Sequence, residues 1–313
     1  MAIYLITGIA GFIGSGLARA VLAQGDQVRG IDNLSTGRAD NLAEIKGQVD
    51  FRKADLLDLD AVHDACKGVD YVLHQAAIPS VPKSVVDPLG SNRANVDATV
   101  NVLVGARDAK VRRVVYAASS SAYGDTPTLP KREDMPPNPI SPYAVAKLAS
   151  EYYMVSFFRC YGLETVCLRY FNIFGPRQDP SSPYSGVLAK FITQMLRGEQ
   201  PTIFGDGSQS RDFTYIDNAV QANLKAATAP AARVAGGVFN VATGRRVDLN
   251  ETFQTLKQII GFGGDVIHAA ERNGDIKHSL ADISLAEKAF GYKPTVDFEE
   301  GLRRTIEWYK KSM

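Results

Sequence analysis

Cysteine is scarce in this chain, and what there is does not pair. Cys66, Cys160 and Cys167 are odd in number and none sits in a C-x-x-C spacing, which argues against a disulfide framework or a zinc site. Reduced, buried thiols in a cytoplasmic protein are the expectation. His63, His74, His268 and His278 also lack metal-ligand spacing, so no metal is expected. An excess of charge is missing as well. Lys+Arg at 35 against Asp+Glu at 34 leaves +1 with no basic cluster, so neither nucleic acid nor an anionic membrane surface is an expected partner. No apolar run reaches the ~18–20 residues of a spanning helix. The opening MAIYLITGIAGFIG lacks a basic leader and is interrupted by Gly8, Gly11 and Gly14, so it reads as a buried strand entering a turn. Internal repeats, low-complexity tracts and long linkers are absent too.

What the chain does have is alternation. At 313 residues, 45% apolar and 22% charged, it is long enough for one large α/β unit and a smaller companion lobe. Apolar runs at Ile3–Thr7, Val28–Ile31, Val49–Lys53, Tyr71–Gln75, Val114–Ser119 and Thr165–Tyr170 read as strands buried on both faces. Helical stretches near 12–24, 39–46, 59–66, 88–109 and 143–161 fall between them, the pattern of βαβ units. The spacing predicts an α/β fold, a Rossmann-type doubly wound parallel sheet with a smaller C-terminal substrate-binding lobe. The sheet domain is expected over 1–174, with 213–242 able to cross back to it. The lobe is expected over 175–313, where Pro176, Pro180, Pro183, Gly205 and Gly207 interrupt shorter elements.

Two of the helices carry more apolar surface than one buried face requires. In 143–161, Val145, Leu148, Tyr152, Val155, Phe157 and Phe158 spread round the axis; in 88–109, Val96, Val100, Val102, Leu103 and Val104 do the same. A surface helix shows a single apolar stripe. Either these helices lie deep beneath the second lobe or, the preferred reading, they pair with their copies in a homodimer.

The first strand runs into Thr7-Gly8-Ile9-Ala10-Gly11-Phe12-Ile13-Gly14, and a helix opens there. Gly8 permits the tight turn, Gly11 lets backbone approach a pyrophosphate, and Gly14 lets helix and sheet pack closely. The helix N-terminus offers unpaired N–H groups to phosphate. Glycine trios also mark ordinary turns; the strand before, the helix after and Asp32 at the end of the second strand raise the signal. Asp32 can accept from adenosine ribose hydroxyls and would repel a 2′-phosphate, so the expected cofactor is NAD rather than NADP. Asp55, after the third strand, is placed for the adenine edge or is an exposed turn residue.

Tyr143 and Lys147 stand one turn apart at the start of a helix, behind Ser141-Pro142, with side chains ~5–6 Å from each other on one face. The ammonium is expected to stabilise a phenolate and to lower the tyrosine pKa from its usual ~10. Such a phenol can take a proton from a hydroxyl while hydride leaves the same carbon. Tyr-x-x-x-Lys alone arises often by chance. Ser119 at the C-terminal end of a predicted strand, where parallel sheets bind ligands, makes the trio far more specific.

With HQAA at 74–77, SSSAYG at 119–124, SPYAVAK at 141–147, RYFNIFGPRQ at 169–178 and RNGD at 272–275, essentially the whole chain resembles an extended short-chain dehydrogenase/reductase. Within that group it is most similar to the UDP-hexose 4-epimerase family, near the branch acting on UDP-N-acetylglucosamine. The resemblance implies NAD contacts from Gly8, Gly11, Phe12, Ile13, Gly14, Asp32, Asn33, Asp55 and Leu56. It implies further ones from Gln75, Ala76, Ala77, Asn95, Tyr143, Lys147 and Tyr170, with Asn95 near the nicotinamide and Lys147 on the ribose. Ser119, with Ser120 and Ser121 beside it, would hold the sugar O4, and Tyr143 would be the acid/base. Asn172, Arg211 and Arg272 would meet the diphosphate and Asp275 the UMP ribose, with Val187, Leu188 and Ser279 completing the substrate site.

Sister enzymes of that family share a 4-keto intermediate and differ in the fate of the ketone. Its dehydratases carry Asp and Glu directly after the serine, and its decarboxylases a glutamate at the second slot; here Ser120 and Ser121 stand there. The resemblance therefore implies an epimerase, which needs no further acid or base. Ser279 occupies the position where a bulky tyrosine is associated with exclusion of N-acetylated sugars. The runs SVPKS (80–84) and GPRQDPSSPY (175–184) also resemble the acetylhexosamine branch. UDP-GlcNAc/UDP-GalNAc is the expected substrate pair, with UDP-Glc/UDP-Gal next. A UDP-glucuronate 4-epimerase, its carboxylate met by Ser120, Ser121 or Arg177, and an NAD(P)-dependent keto-sugar reductase remain open alternatives. A cofactor-sensing regulator without chemistry would be expected to lose Tyr143 or Lys147, and both are present.

Overall fold

The structure, a computed structural model, describes residues 1–180, 186–271 and 277–313. Six predicted strands form where the apolar runs put them, within a residue at either end. They are β1 (Ile3–Thr7), β2 (Gln27–Asp32), β3 (Val49–Lys53), β4 (Tyr71–His74), β5 (Arg113–Ser119) and β6 (Glu164–Tyr170). Among the described residues seven more strands come later in the chain. They are β7 (Ile173–Phe174), β8 (Thr202–Phe204), β9 (Ser210–Arg211) and β10 (Thr214–Tyr215), then β11 (Gly237–Val241), β12 (Val247–Asp248) and β13 (Ile267–Ala269). The first six and β11 make one sheet in the order β11-β6-β5-β4-β1-β2-β3, with every neighbouring pair parallel. The order reverses between β1 and β4, and sheets of this kind bind ligands in that crevice, beyond the carboxyl ends. β11 runs alongside β6 from Gly237↔Val166 to Val241↔Tyr170.

The helices of the first half are α1 (Phe12–Ala23), α2 (Leu59–Cys66), α3 (Val81–Val86), α4 (Pro88–Asn92), α5 (Ala98–Asp108) and α6 (Pro142–Tyr161). α3 has no counterpart in the sequence reading, and two expected helices take another form. Residues Ala39–Gln48 form a 3₁₀-helix; its buried residues, Leu42 and Ile45, are three apart, the spacing that eclipses on such a helix. The single helix expected over 88–109 is divided between α4 and α5 by a π-turn at Arg93–Asp97. The hydroxyls of Thr99 (2.5 Å) and Ser150 (2.9 Å) both donate to the Asn95 carbonyl, which draws it out of the regular helical ladder.

Later in the chain lie α7 (Val187–Leu196), α8 (Ile216–Thr228), α9 (Ala231–Val234), α10 (Leu249–Ile260), α11 (Ser284–Phe290) and α12 (Phe298–Ser312). Both faces of the sheet are covered, as unbroken apolar strands require. Leu5 of β1 packs with Val62 of α2, Val102 of α5 and Phe157 of α6. Its neighbours Tyr4 and Ile6 join Leu17 of α1, Val220 of α8, Leu256 of α10 and Ile306 of α12. The C-terminal helices thus share a core with the first strand. Asp212, wholly buried, reinforces the join by accepting from the backbone N–H groups of Thr243 (2.9 Å), Gly244 (3.0 Å) and Ala281 (3.3 Å). Among the described residues no helix is long and apolar enough to cross a membrane.

Candidate active site

Thr7 ends β1 and the chain turns at once through Gly8. Its φ is +66°, and an added Cβ would stand 2.8 Å from the Ala76 backbone, so only glycine fits. A Cβ on Gly14 would lie 2.1 Å from the Gly8 carbonyl oxygen; α1 packs on the turn because that side chain is absent. No side chain caps α1 at Gly11, which leaves its first-turn N–H groups to an anion. Asp32, nearly buried, accepts from Ala10 N–H (2.9 Å) and Leu34 N–H (2.8 Å), tying β2 to the glycine turn. Burial raises its pKa and these two N–H groups pull it back. Its oxygens keep lone pairs for a ribose hydroxyl. Asn33 donates to Asp55 at 2.8 Å, so both residues expected at the adenosine end are held together.

A cleft of about 950 Å³ opens along the carboxyl ends of these strands. Its wall takes in Gly8, Gly11, Phe12, Ile13, Gly14, Asp32, Asn33, Asp55 and Leu56, then Gln75, Ala76, Ala77, Lys147 and Tyr170. Ser119, Ser120, Tyr143 and Asn172 complete the set found there. Asn95 is not on the wall. It is buried beneath it, accepting from Ile78 N–H at 3.0 Å and donating to the Ser91 carbonyl at 2.9 Å, and so shapes the 76–80 segment from behind. Ser35, Thr36, Gly37, Arg38 and Asn41 line the cleft and were not anticipated. At Gly37 a Cβ would meet Asp32 Oδ2 at 2.9 Å, a closeness visible only in the fold. Asn223 of α8 was missed too; it donates to the Tyr170 hydroxyl at 2.6 Å, and that hydroxyl donates to Gln75 at 3.1 Å.

β5 delivers Ser119, and α6 delivers Tyr143 and Lys147 from its first turns. The helix starts there because Ser141 Oγ accepts from Ala144 N–H at 3.2 Å and Pro142 fills a position that needs no donor. Ser119 Oγ accepts from Ser121 N–H (3.2 Å) and Ser121 Oγ–H (2.8 Å), leaving its own proton free to donate. Ser121 therefore serves Ser119 from behind. Lys147 is buried, donating to the Ala117 carbonyl at 2.8 Å with its Nζ 4.7 Å from the Tyr116 ring centre. Burial brings its pKa down to about 7. Tyr143 departs from the sequence expectation. Burial raises its phenol above the usual 10, and the Ser119 hydroxyl offsets only part of that rise. The Lys147 amine lies against a carbonyl and an aromatic face, so burial, not the amine, sets the direction of the phenol pKa in the chain by itself. Below them His74 stays neutral, its pKa pushed down to about 3 by burial and by the Lys147 charge.

A second cavity of about 250 Å³ adjoins the cleft, sharing Asn172 as a wall and lined also by Val187, Leu188 and Arg211. Arg211 spends one guanidinium nitrogen on the carbonyls of Ser210 (3.0 Å) and Lys277 (3.1 Å). Ser279 reaches the site through Asn172, whose amide donates to Ser279 Oγ at 3.2 Å. Arg272 and Asp275 lie outside the described residues. Arg177, a candidate partner for a sugar carboxylate, lines the cleft and donates to Glu44 of the 3₁₀-helix at 3.0 Å.

A close backbone approach at the glycine turn, an uncapped helix N-terminus, a carboxylate with spare lone pairs and a buried lysine with spare donors together fit an adenine dinucleotide. The profile of the NAD dependent epimerase/dehydratase family matches residues 4–242. The UDP-N-acetylglucosamine 4-epimerase from Methanobrevibacter ruminantium, solved in complex with UDP-N-acetylmuramic acid, is 42% identical with a TM-score of 0.95, over 100% of this chain and 99% of that one. The UDP-glucose 4-epimerase of Mycolicibacterium smegmatis is 39% identical over 98% of both chains. The Thermus thermophilus UDP-glucose 4-epimerase, solved in complex with NAD, is 35% identical with a TM-score of 0.90, over 99% of this chain and 100% of that one.

Proposed function

The chain belongs to the NAD dependent epimerase/dehydratase family, and within it we propose that the substrate pair is UDP-GlcNAc and UDP-GalNAc, with UDP-Glc/UDP-Gal as a second pair. It is an NAD-dependent UDP-sugar 4-epimerase. One observation carries the reading. Ser119, Tyr143 and Lys147 converge on the cleft, while the slots that hold acids in related dehydratases hold Ser120 and Ser121.

NAD, when bound, supplies the acceptor for the hydride of C4, its return to the other face, and a positive charge in the oxidised ring. Tyr143 takes the proton of the C4 hydroxyl and later gives it back. Ser119 donates to the same oxygen as it becomes a carbonyl. Lys147 holds the cofactor ribose with the donors that Ala117 leaves free. Asn172 and Arg211 grip the diphosphate in the adjoining cavity while the 4-keto hexose turns over. No other acid or base is required, since every proton and hydride removed is restored.

Ser279, small and drawn onto Asn172, leaves room beside the sugar for an acetamido group. Arg177 already pairs with Glu44 at 3.0 Å, which counts against the uronate reading. Asp32 counts against an NADPH-dependent reductase. By the same reading residues 1–174 together with β11 bind NAD, the remainder binds the UDP-sugar, and the enzyme works in the cytoplasm. A homodimer through α4, α5 and α6 is supported by Leu89, Val145 and Tyr152, exposed by 76%, 52% and 56%.

The test is incubation with UDP-GlcNAc, and separately with UDP-Glc, without added NAD, then chromatographic separation of the C4 epimers. UDP-GalNAc is expected. Conversion of UDP-Glc alone would keep the chemistry and remove the acetylhexosamine assignment.

A further inference from the structure

The N-terminus of α6 has an unusual division of labour. Pro142 has no N–H. Ala144 N–H is taken by Ser141 Oγ at 3.2 Å, and Val145 N–H by the Ser141 carbonyl at 2.9 Å. That leaves the N–H of Tyr143 itself, and its partner comes from another element: Ser84 Oγ, on α3, accepts from it at 3.0 Å. The orientation of that hydroxyl is fixed, because Ser84 Oγ–H donates to the Val81 carbonyl at 2.7 Å. Ser84 is 1% exposed, so no solvent competes for either bond.

The same short helix forms part of the cleft. Ser80, whose Oγ caps α3 by accepting from Lys83 N–H at 3.1 Å, lines the wall, and so does Lys83. The segment facing the ligand and the backbone of the proposed acid/base are therefore joined through one hydroxyl. We propose that Ser84 is a positioning residue of the active site, its hydroxyl holding the Tyr143 backbone in register with the α3 wall so that phenol and sugar keep a fixed relation.

Loss of that acceptor leaves a buried N–H without a partner and frees the first turn of α6 from α3. A buried polar group left unsatisfied forces local rearrangement, and displacement of a reacting group by a fraction of an ångström costs heavily in rate. The effect falls on the chemical step and not on affinity, because Ser84 is buried behind the wall and touches neither cavity.

The inference rests on Tyr143 as the acid/base, and two readouts keep the two claims apart. In Ser84→Ala, kcat for C4 epimerisation is expected to fall roughly tenfold with KM changed less than twofold and bound NAD retained. Ser84→Thr and Ser84→Val have the same shape and differ in the hydroxyl, so Thr should be the faster by at least threefold. The second readout needs no turnover. With tyrosine labelled at Cζ with ¹³C, the Tyr143 resonance is identified by its loss in Tyr143→Phe. It should move by more than its line width in Ser84→Ala and Ser84→Val, and less in Ser84→Thr. A parent without epimerase activity would remove the functional reading, while a Tyr143 resonance that ignores Ser84 would overturn this one. Thr and Val variants of equal kcat would overturn it as well, as would a loss of NAD and thermal stability that fully accounts for the fall in rate.

Discussion

Lys147 is held where a cation is costly. Its folded pKa of about 7 lies below the ordinary 10.5, so unfolding takes up a proton between those values. Stability therefore rises with pH across that window, and below about pH 7 the full penalty stands. Lys147→Met is expected to raise the melting temperature at pH 6.5 by a few degrees while turnover falls by two orders of magnitude or more. The gain should shrink toward nothing as pH approaches 10.5, so melts of parent and variant at three pH values decide it. An equal gain at every pH would mean that burial of the charge is not the cause. The burden makes sense for a residue whose work begins when a ligand arrives to share its donors. It also marks the limit of reading such a residue from spacing. Tyr-x-x-x-Lys announces which groups meet on a helix face, but the direction of each pKa depends on what else the fold packs around them. Ser84 shows no role for the same reason: in the sequence SVPKS is only part of a family resemblance, and the tertiary structure is what brings Tyr143 to its hydroxyl.

Among elements, the strap from Phe171 to Pro180 is the most constrained. Two of its non-glycine residues have left-handed backbone, Asn172 at φ +38° and Arg177 at φ +70°, a conformation costing about 1–2 kcal/mol per residue. The strap is tied on both sides of the cleft, by Arg177 to Glu44 (3.0 Å) and Asp179 to Arg38 (3.9 Å), and by a hydrogen bond from the Tyr309 hydroxyl to the Gln178 carbonyl. Arg177→Ala should keep the fold and lose cofactor more readily, by a few-fold in Kd, since Glu44 is largely exposed and such pairs are individually weak. Dialysis and then measurement of bound NAD checks this; equal retention would mean that the strap does not act as a clasp. Most elements up to β6 are legible in the sequence because each strand there is a short apolar run and each helix has apolar periodicity, signals carried by neighbours along the chain. The π-turn at Arg93–Asp97 is not, because hydroxyls on Thr99 and Ser150 create it. β11 shows in the sequence only as a stretch able to return, since Gly237–Val241 becomes a strand by meeting β6.

At the scale of the molecule, part of the apolar surplus on the two long helices is consumed inside the chain. Val102, Leu103, Leu148 and Phe157 are buried there, while Leu89, Val145 and Tyr152 remain outside. These three are the residues to alter. Leu89→Asp with Val145→Asp should convert a dimer into a monomer of unchanged helix content, measured by sedimentation and circular dichroism; a parent that sediments as a monomer at micromolar concentration would end the proposal. Within the chain one core runs from β1 to α12. The seventh strand has a different consequence. β6 is complete at Tyr170, yet its partner β11 is translated only at Gly237–Val241. While the ribosome makes the residues between, the growing sheet ends in an unpaired, apolar edge, the kind of surface that recruits strands from other chains. Synthesis thus adds a transient edge at β6 to the edges that β11 and β3 form in the finished sheet.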